Sequence, residues 1–347
     1  MLEFASTELR NDREVVLVAV SNDGKSLRYA SDELRADRAV VLAAVRKNGR
    51  ALEYASAQLQ ANPEVVLVAV TQDGWAFKYA STELKANREF ILDAVSNHGA
   101  VLEYASEVLK NDREFILSAM QINGEGLKYV SAELQNDQEV VLAAVKNSRY
   151  GLDYASDELR ADREVVLAAV SNNGSALRYA SEFQSDREFI LEAVRTNGYA
   201  LGSASEALRN DHELVLTAVN HYGNALCYAS EGLRNDREVV LAAVRQEGNA
   251  LRYASEGVKS DRSFLKAAIE TNPECIRYIH NPHRQQLYGL LSPLRVLSFD
   301  CRDAQDKLMR VITGLMTLSY YSPLRGLVGS NDRPHSCLLY TSPSPRD

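Results

Sequence analysis

Apolar residues along this chain fall in dense runs, such as Val15-Val16-Leu17-Val18-Ala19-Val20 and Val65-Val66-Leu67-Val68-Ala69-Val70, separated by polar stretches with sparser apolar positions. A run that is apolar nearly all the way round predicts a helix buried by neighbours on both sides. Each run is preceded by Asp or Asn and is mostly followed by an Asn-Gly or Asp-Gly type signal, the ordinary boundaries of a helix. The sparser positions that follow, for example Leu27, Ala30 and Leu34, recur at helical spacing and predict a second, shorter helix covering the first from one side.

The pattern is periodic. Tyr-Ala-Ser or a close variant recurs every 25 residues at Tyr29, Tyr54, Tyr79, Tyr104, Tyr129, Tyr154 and Tyr179, with Phe4 in the same slot one period earlier. One residue is missing in the next unit, which puts Ser203 in the slot, and the period resumes at Tyr228, Tyr253 and Tyr278. A helical hairpin of this length cannot bury its faces alone and must stack on its neighbours. The expected fold is therefore all-α, an α-solenoid of about eleven 25-residue helix-turn-helix repeats spanning residues 1–279.

The starts of the long helices are read at Asp12, Asp37, Asn62, Asn87, Asp112, Asp137, Asp162, Asp186, Asp211, Asp236 and Asp261. Only these two residue types occupy the slot, because both accept a hydrogen bond from the unpaired N–H groups of a first helical turn. Pro63, directly after Asn62, sits where proline is best tolerated. The glycines at 24, 49, 74, 99, 124, 174, 198, 223 and 248 are expected at left-handed helix ends. One slot, from Ala19 and Ala44 through Ala243 and Ala268, is alanine in every unit, which predicts close approach of packed helices.

This L-x-Y-A-S-x-E-L-x-x-D-R-E-V-V-L-x-A-V-x-x-N-G pattern resembles the domain-of-unknown-function 4116 repeat family, over about four fifths of the chain. The resemblance implies tandem arrays, as in proteins of unicellular organisms. It implies no catalytic residues and no cofactor.

Charge and chemistry narrow the function further. The formal charge of -8 is spread along the chain without a basic block, which argues against a groove that tracks phosphates, so nucleic acid is not an expected partner. No apolar run is long enough for a membrane span and the start lacks the regions of a signal peptide, so an intracellular, cytoplasmic protein with no membrane partner is expected. Four cysteines at 227, 275, 301 and 337 are too few and too scattered for a disulfide framework or a zinc site. His280 and His283 are separated by Pro282, which breaks the helical face two ligands would share. No phosphate-binding, dinucleotide, zinc-protease or nucleophile-elbow motif occurs, so neither an enzyme nor a cofactor is expected. The repeated Asp-Arg-Glu triplets read as caps, since an active site needs one distinctive constellation and a cap is needed once per helix.

Binding specificity in a repeat protein can reside in the slots that vary among copies. The slot after the glycine reads Lys25, Arg50, Trp75, Ala100, Glu125, Tyr150, Ser175, Tyr199, Asn224 and Asn249, with Trp75 the only tryptophan of the chain. Exposed aromatic residues are frequent anchors of interfaces, which makes Lys25, Arg50, Trp75, Glu125, Tyr150 and Tyr199 the candidate partner-binding residues. The tyrosine slot itself reads as a structural ring with a hydrogen-bonded hydroxyl. Directly before it, Glu3, Arg28, Glu53, Lys78, Glu103, Lys128, Asp153 and Arg178 alternate in sign, which predicts a charge ladder between adjacent units.

Residues 280–330 are expected to form a non-repeat segment, with two short helices around 287–297 and 304–318 capping the last unit. Residues 331–347 read as a disordered tail resembling a translated sequencing adapter, and the native frame is expected to continue beyond it. The leading functional reading is a monomeric protein-interaction scaffold that presents variable side chains to a protein or peptide. The alternative is a passive spacer arm of a longer protein whose active domain lies outside this sequence.

Overall fold

The computed structural model describes residues 2–279, which form helices and turns with no strand among them. The expected C-terminal cap, the adapter-like tail and the His280/His283 pair lie outside the described residues. The all-α solenoid is as expected, but the unit is built from three helical pieces rather than two. In the third unit these are a one-turn α-helix, Ala57–Gln60, a ten-residue α-helix, Pro63–Gln72, and a 3-10 helix, Gly74–Tyr79.

Two local signals split the expected second helix. Ala80 leaves the 3-10 helix in an extended conformation, φ -66° and ψ 155°, and the Ser81 hydroxyl then accepts from the Leu84 N–H to start the next one-turn helix. Leu27, Ala30 and Leu34 are all buried, as their spacing suggested, yet they stand on a 3-10 helix, a link and a one-turn helix in succession. Every one of the eleven expected Asp or Asn caps accepts from a backbone N–H two or three residues on.

The glycines are not left-handed helix ends, because none of them has a positive φ of that kind. The residue before each glycine leaves the long helix in an extended conformation, and its side chain commonly caps the 3-10 helix, as Asp73 does for the Trp75 N–H. Space is the reason for glycine. A Cβ on Gly24, Gly49 or Gly124 would lie 2.3, 2.2 or 2.1 Å from the carbonyl oxygen of Ala44, Ala69 or Ala144 in the following unit. Gly223 meets the Ala243 carbonyl oxygen in the same way, at 2.4 Å, whereas Gly74, Gly99, Gly174 and Gly248 are hemmed in by other atoms of the following unit. Ala94, Ala119 and Ala144 have no exposed surface, while Ala19 in the first unit described is half-buried.

A backbone hydrogen bond crosses most junctions, from the serine N–H of one unit to the last carbonyl of the preceding one-turn helix, as in Ser31 to Arg10 at 3.0 Å and Ser106 to Lys85 at 2.8 Å. It is missing at Ser131 and Ser181. Val130 replaces the usual alanine before Ser131 and shifts to φ -93°, ψ 170°. At Ser181 the one-residue deletion replaces the one-turn helix with a 3-10 turn, Ser181–Phe183, and Phe183 stacks on Phe189 with centroids 4.1 Å apart. The defect is local: Asp186 still caps Arg187–Thr196, and the junction bond returns at Ser205 to Gln184, 2.7 Å. A second irregularity, at Arg149 in the glycine slot, shortens the 3-10 helix to Gly151–Tyr154.

Candidate binding surface along the tyrosine column

The six-residue 3-10 helix places the variable slot at its second position and the tyrosine at its last, so both slots lie on one short element in every regular unit. The tyrosines are half-buried, and burial pushes the phenols of Tyr54, Tyr79, Tyr104, Tyr129 and Tyr154 above their ordinary range. Each of these phenols feels the charge of a tyrosine in an adjacent unit or, for Tyr154, also of Tyr150 in its own. The tyrosines therefore form a column along the stack.

The variable-slot aromatics join this column. Trp75, 39% exposed, meets Tyr104 of the next unit at 6.1 Å and 72° and Tyr129 of the unit after it at 6.3 Å and 89°. Tyr199, 38% exposed, meets Tyr228 at 6.4 Å and 82° and Tyr222 at 5.7 Å and 47°. Edge-to-face packing at these separations is the favoured arrangement for aromatic rings. Tyr150 is exposed at the turn before Gly151, Glu125 is exposed and bears on the Tyr129 and Tyr154 phenols, and Lys25 is exposed near the N-terminal end. Arg50 is committed elsewhere, pairing with Asp73 at 2.6 Å.

The alternating charges are arranged differently from the expected ladder. No ion pair joins two of Glu3, Arg28, Glu53, Lys78, Glu103, Lys128, Asp153 and Arg178 among the described residues. The basic members lie over tyrosine rings instead: Arg28 over Tyr29 at 4.9 Å, Lys78 over Tyr79 at 5.9 Å, and Arg178 over Tyr179 at 4.6 Å. Lys128 reaches both Tyr129, 5.5 Å, and Tyr154, 6.0 Å. Acidic members bear on phenols that burial already raises and raise them further: Glu3 on Tyr29, Glu53 on Tyr54 and Tyr79, and Glu103 on Tyr104. The ring is the nearer partner because it belongs to the adjacent residue, whereas the opposite charge is one unit away.

Apart from Arg50 to Asp73, the arginine ion pairs between units start from the arginine beside a helix cap. The arginine at the first position of a long helix reaches the cap of the following unit: Arg13 to Asp37 at 2.9 Å, Arg113 to Asp137 at 2.6 Å, Arg187 to Asp211 at 2.7 Å. Where the cap is Asn62, Arg38 turns to Glu64. After the deletion Arg163 pairs with Glu192 at 2.5 Å. The signal is present in the sequence as an arginine followed 24 residues later by an aspartate.

These contacts give the stack a pH dependence. Arginine holds the carboxyls of Asp37, Asp137 and Asp211 below the ordinary carboxylate range, and the helix N–H bonds of each cap add to this. A carboxyl with a lower pKa folded than unfolded contributes stability that is complete above the unfolded value and is lost as pH falls through the folded one. The urea midpoint is expected to be flat between about pH 5 and pH 9 and to fall progressively below about pH 4. A midpoint unchanged down to pH 2 would contradict the role of these caps.

Among the described residues no cluster of three or more histidine, cysteine or acidic side chains can hold a metal ion, and no helix is long and apolar enough to cross a membrane. Burial pushes the Cys275 thiol up to about 12, leaving it protonated and unreactive.

Fold and surface together define a tandem helical repeat array with an aromatic column along one edge. The family described as Domain of unknown function (DUF4116) matches residues 1–35, 37–85, 87–135, 112–160, 162–209, 211–258 and 236–283, and the chain belongs to that family. Six of these matched segments begin at a long-helix cap, at residues 37, 87, 112, 162, 211 and 236, so the family's own frame starts where the structure starts a long helix. Compared with curated proteins and with solved structures, the chain matches none of either.

Proposed function

We propose that the array is a protein-interaction scaffold whose binding surface is the tyrosine column together with the variable slot beside it. The observation that supports this is the placement of Trp75 and Tyr199. Both are large, over a third exposed, and already packed on rings of the following unit, so they stand as ordered anchors. Rigid, half-exposed aromatics are the residues that dominate interface energetics, because little conformational freedom remains to be lost on binding. The partner is a protein or a peptide, and neither catalysis nor a cofactor has a part in this reading.

The test compares affinity capture from lysate of the native cells by the wild-type chain and by a triple variant, Trp75→Ala, Tyr150→Ala and Tyr199→Ala. Partners enriched by the wild type are expected to fall at least about tenfold with the variant, the effect of removing one or two anchors of at least about 1.4 kcal/mol in total. Far-UV circular dichroism establishes that both stacks are folded. Identical capture by the two folded chains would reject the surface and favour a passive spacer arm.

A further inference from the structure

The tyrosine column already binds cations, and they are its own. Arg28, Lys78, Lys128, Arg178 and Arg252 each hold a charged group 4.5 to 5.9 Å from the ring of the tyrosine that follows them. Units with an acid in that slot have no such cation, and at Tyr154 the gap is filled by Lys128 of the preceding unit at 6.0 Å. At Trp75 and Tyr104 it is not filled: among the described residues no lysine or arginine lies over either ring.

The geometry of that pair suits a cation from outside. The two ring planes meet at 72° with centroids 6.1 Å apart, forming a corner, and Trp75 is 39% exposed. Tryptophan offers the strongest ring face for a cation. Burial raises the Tyr104 phenol and the Glu103 carboxylate raises it further, so a negative charge lies beside the corner. Of the basic groups along the column, Arg50 is paired with the Asp73 carboxylate at 2.6 Å, and Lys78 and Lys128 lie over the rings of Tyr79 and Tyr129, at 5.9 and 5.5 Å, and not over Trp75 or Tyr104. The other aromatic cluster, at Tyr199 and Tyr228, has Gly202 and Cys227 in the slots that precede Ser203 and Tyr228, and the acid that bears on Tyr199, Glu247, accepts a hydrogen bond from Asn224.

We propose that Trp75, Tyr104 and Glu103 form a seat for one cationic side chain, lysine or arginine, of a protein partner. This rests on the reading of the tyrosine column as a protein-binding surface and specifies what that surface recognises. The aromatic walls take the place that tyrosine rings take for the array's own lysines and arginines, and Glu103 supplies the opposite charge.

Trp75 is the only tryptophan, so its fluorescence reports the seat directly. The probes are blocked pentapeptides of glycine with a central lysine, arginine, trimethyl-lysine or norleucine, the last being an uncharged chain of similar length. The three cationic peptides are expected to change Trp75 emission saturably at millimolar concentration, with norleucine binding roughly 2- to 30-fold more weakly. Glu103→Gln is expected to weaken the cationic peptides by roughly 2- to 5-fold and to leave norleucine unchanged, and Tyr104→Ala to reduce the preference for charge. Thermal midpoints of both variants establish that they are folded. Equal binding of norleucine would overturn the cation seat while leaving a peptide-binding surface in place. Emission unaffected by every peptide would overturn the seat as well, and the capture comparison would then decide the surface independently.

Discussion

Gly124→Ala is expected to destabilise the stack by about 3 kcal/mol, at or above the upper part of the range for overpacking a well-filled site. The added Cβ would lie 2.1 Å from the Ala144 carbonyl oxygen and 2.7 and 2.8 Å from the carbonyl carbon and Cα of the same residue. All three are backbone atoms, so no side chain can rotate away and two whole units must separate. Gly232→Ala is the matched control. Its nearest neighbours would be 3.9 and 4.0 Å away, and it lies inside the one-turn helix Glu231–Arg234. There alanine is expected to stabilise by about 0.5 to 1 kcal/mol, through helix propensity and loss of freedom in the unfolded chain. Opposite shifts in the urea midpoints of these two variants are the expected result, and equal shifts would show that glycine is not required by the junction.

Ala119→Leu tests the uniform alanine slot. Ala119 is fully buried, and its carbonyl accepts the Asn123 N–H at 2.8 Å as the long helix ends. Three further carbons have no space there, so a loss of about 1 to 3 kcal/mol is expected. In a stack of units that contact only their neighbours the damage is local, and hydrogen exchange is expected to accelerate first in the helices Arg88–Asn97, Arg113–Ile122 and Gln138–Asn147. An unchanged unfolding midpoint would mean the slot tolerates volume and its uniform alanine has another cause.

Much of this fold was legible because local rules repeat. An Asp or Asn before an apolar run starts a helix whatever lies beside it, since the bond that its side chain makes is with its own next turn, and all eleven such starts are present. The burial of Leu27, Ala30 and Leu34 was legible as well, although their helical assignment was not, because positions three and four apart share a face on an α-helix and positions three apart do so on a 3-10 helix.

The sequence by itself determined the period, the starts of the long helices, the alanine slot and the slots free to vary, each a property of one unit or of its comparison with the next. Only the tertiary structure decided why the slot after the long helix holds glycine, because the clashing atoms belong to the neighbouring unit, as Gly124 and the Ala144 carbonyl, 20 residues further on, show. It also decided which charges meet. Arg113 and Asp137 pair across a junction at 2.6 Å, whereas Arg28 and Glu53, equally close in sequence, turn to tyrosines, since the stacking of the units and not their order in the chain sets which groups come within reach. The joining of Trp75 to Tyr104 and Tyr129 has the same origin: three slots of three successive units become one surface only when the stack is built.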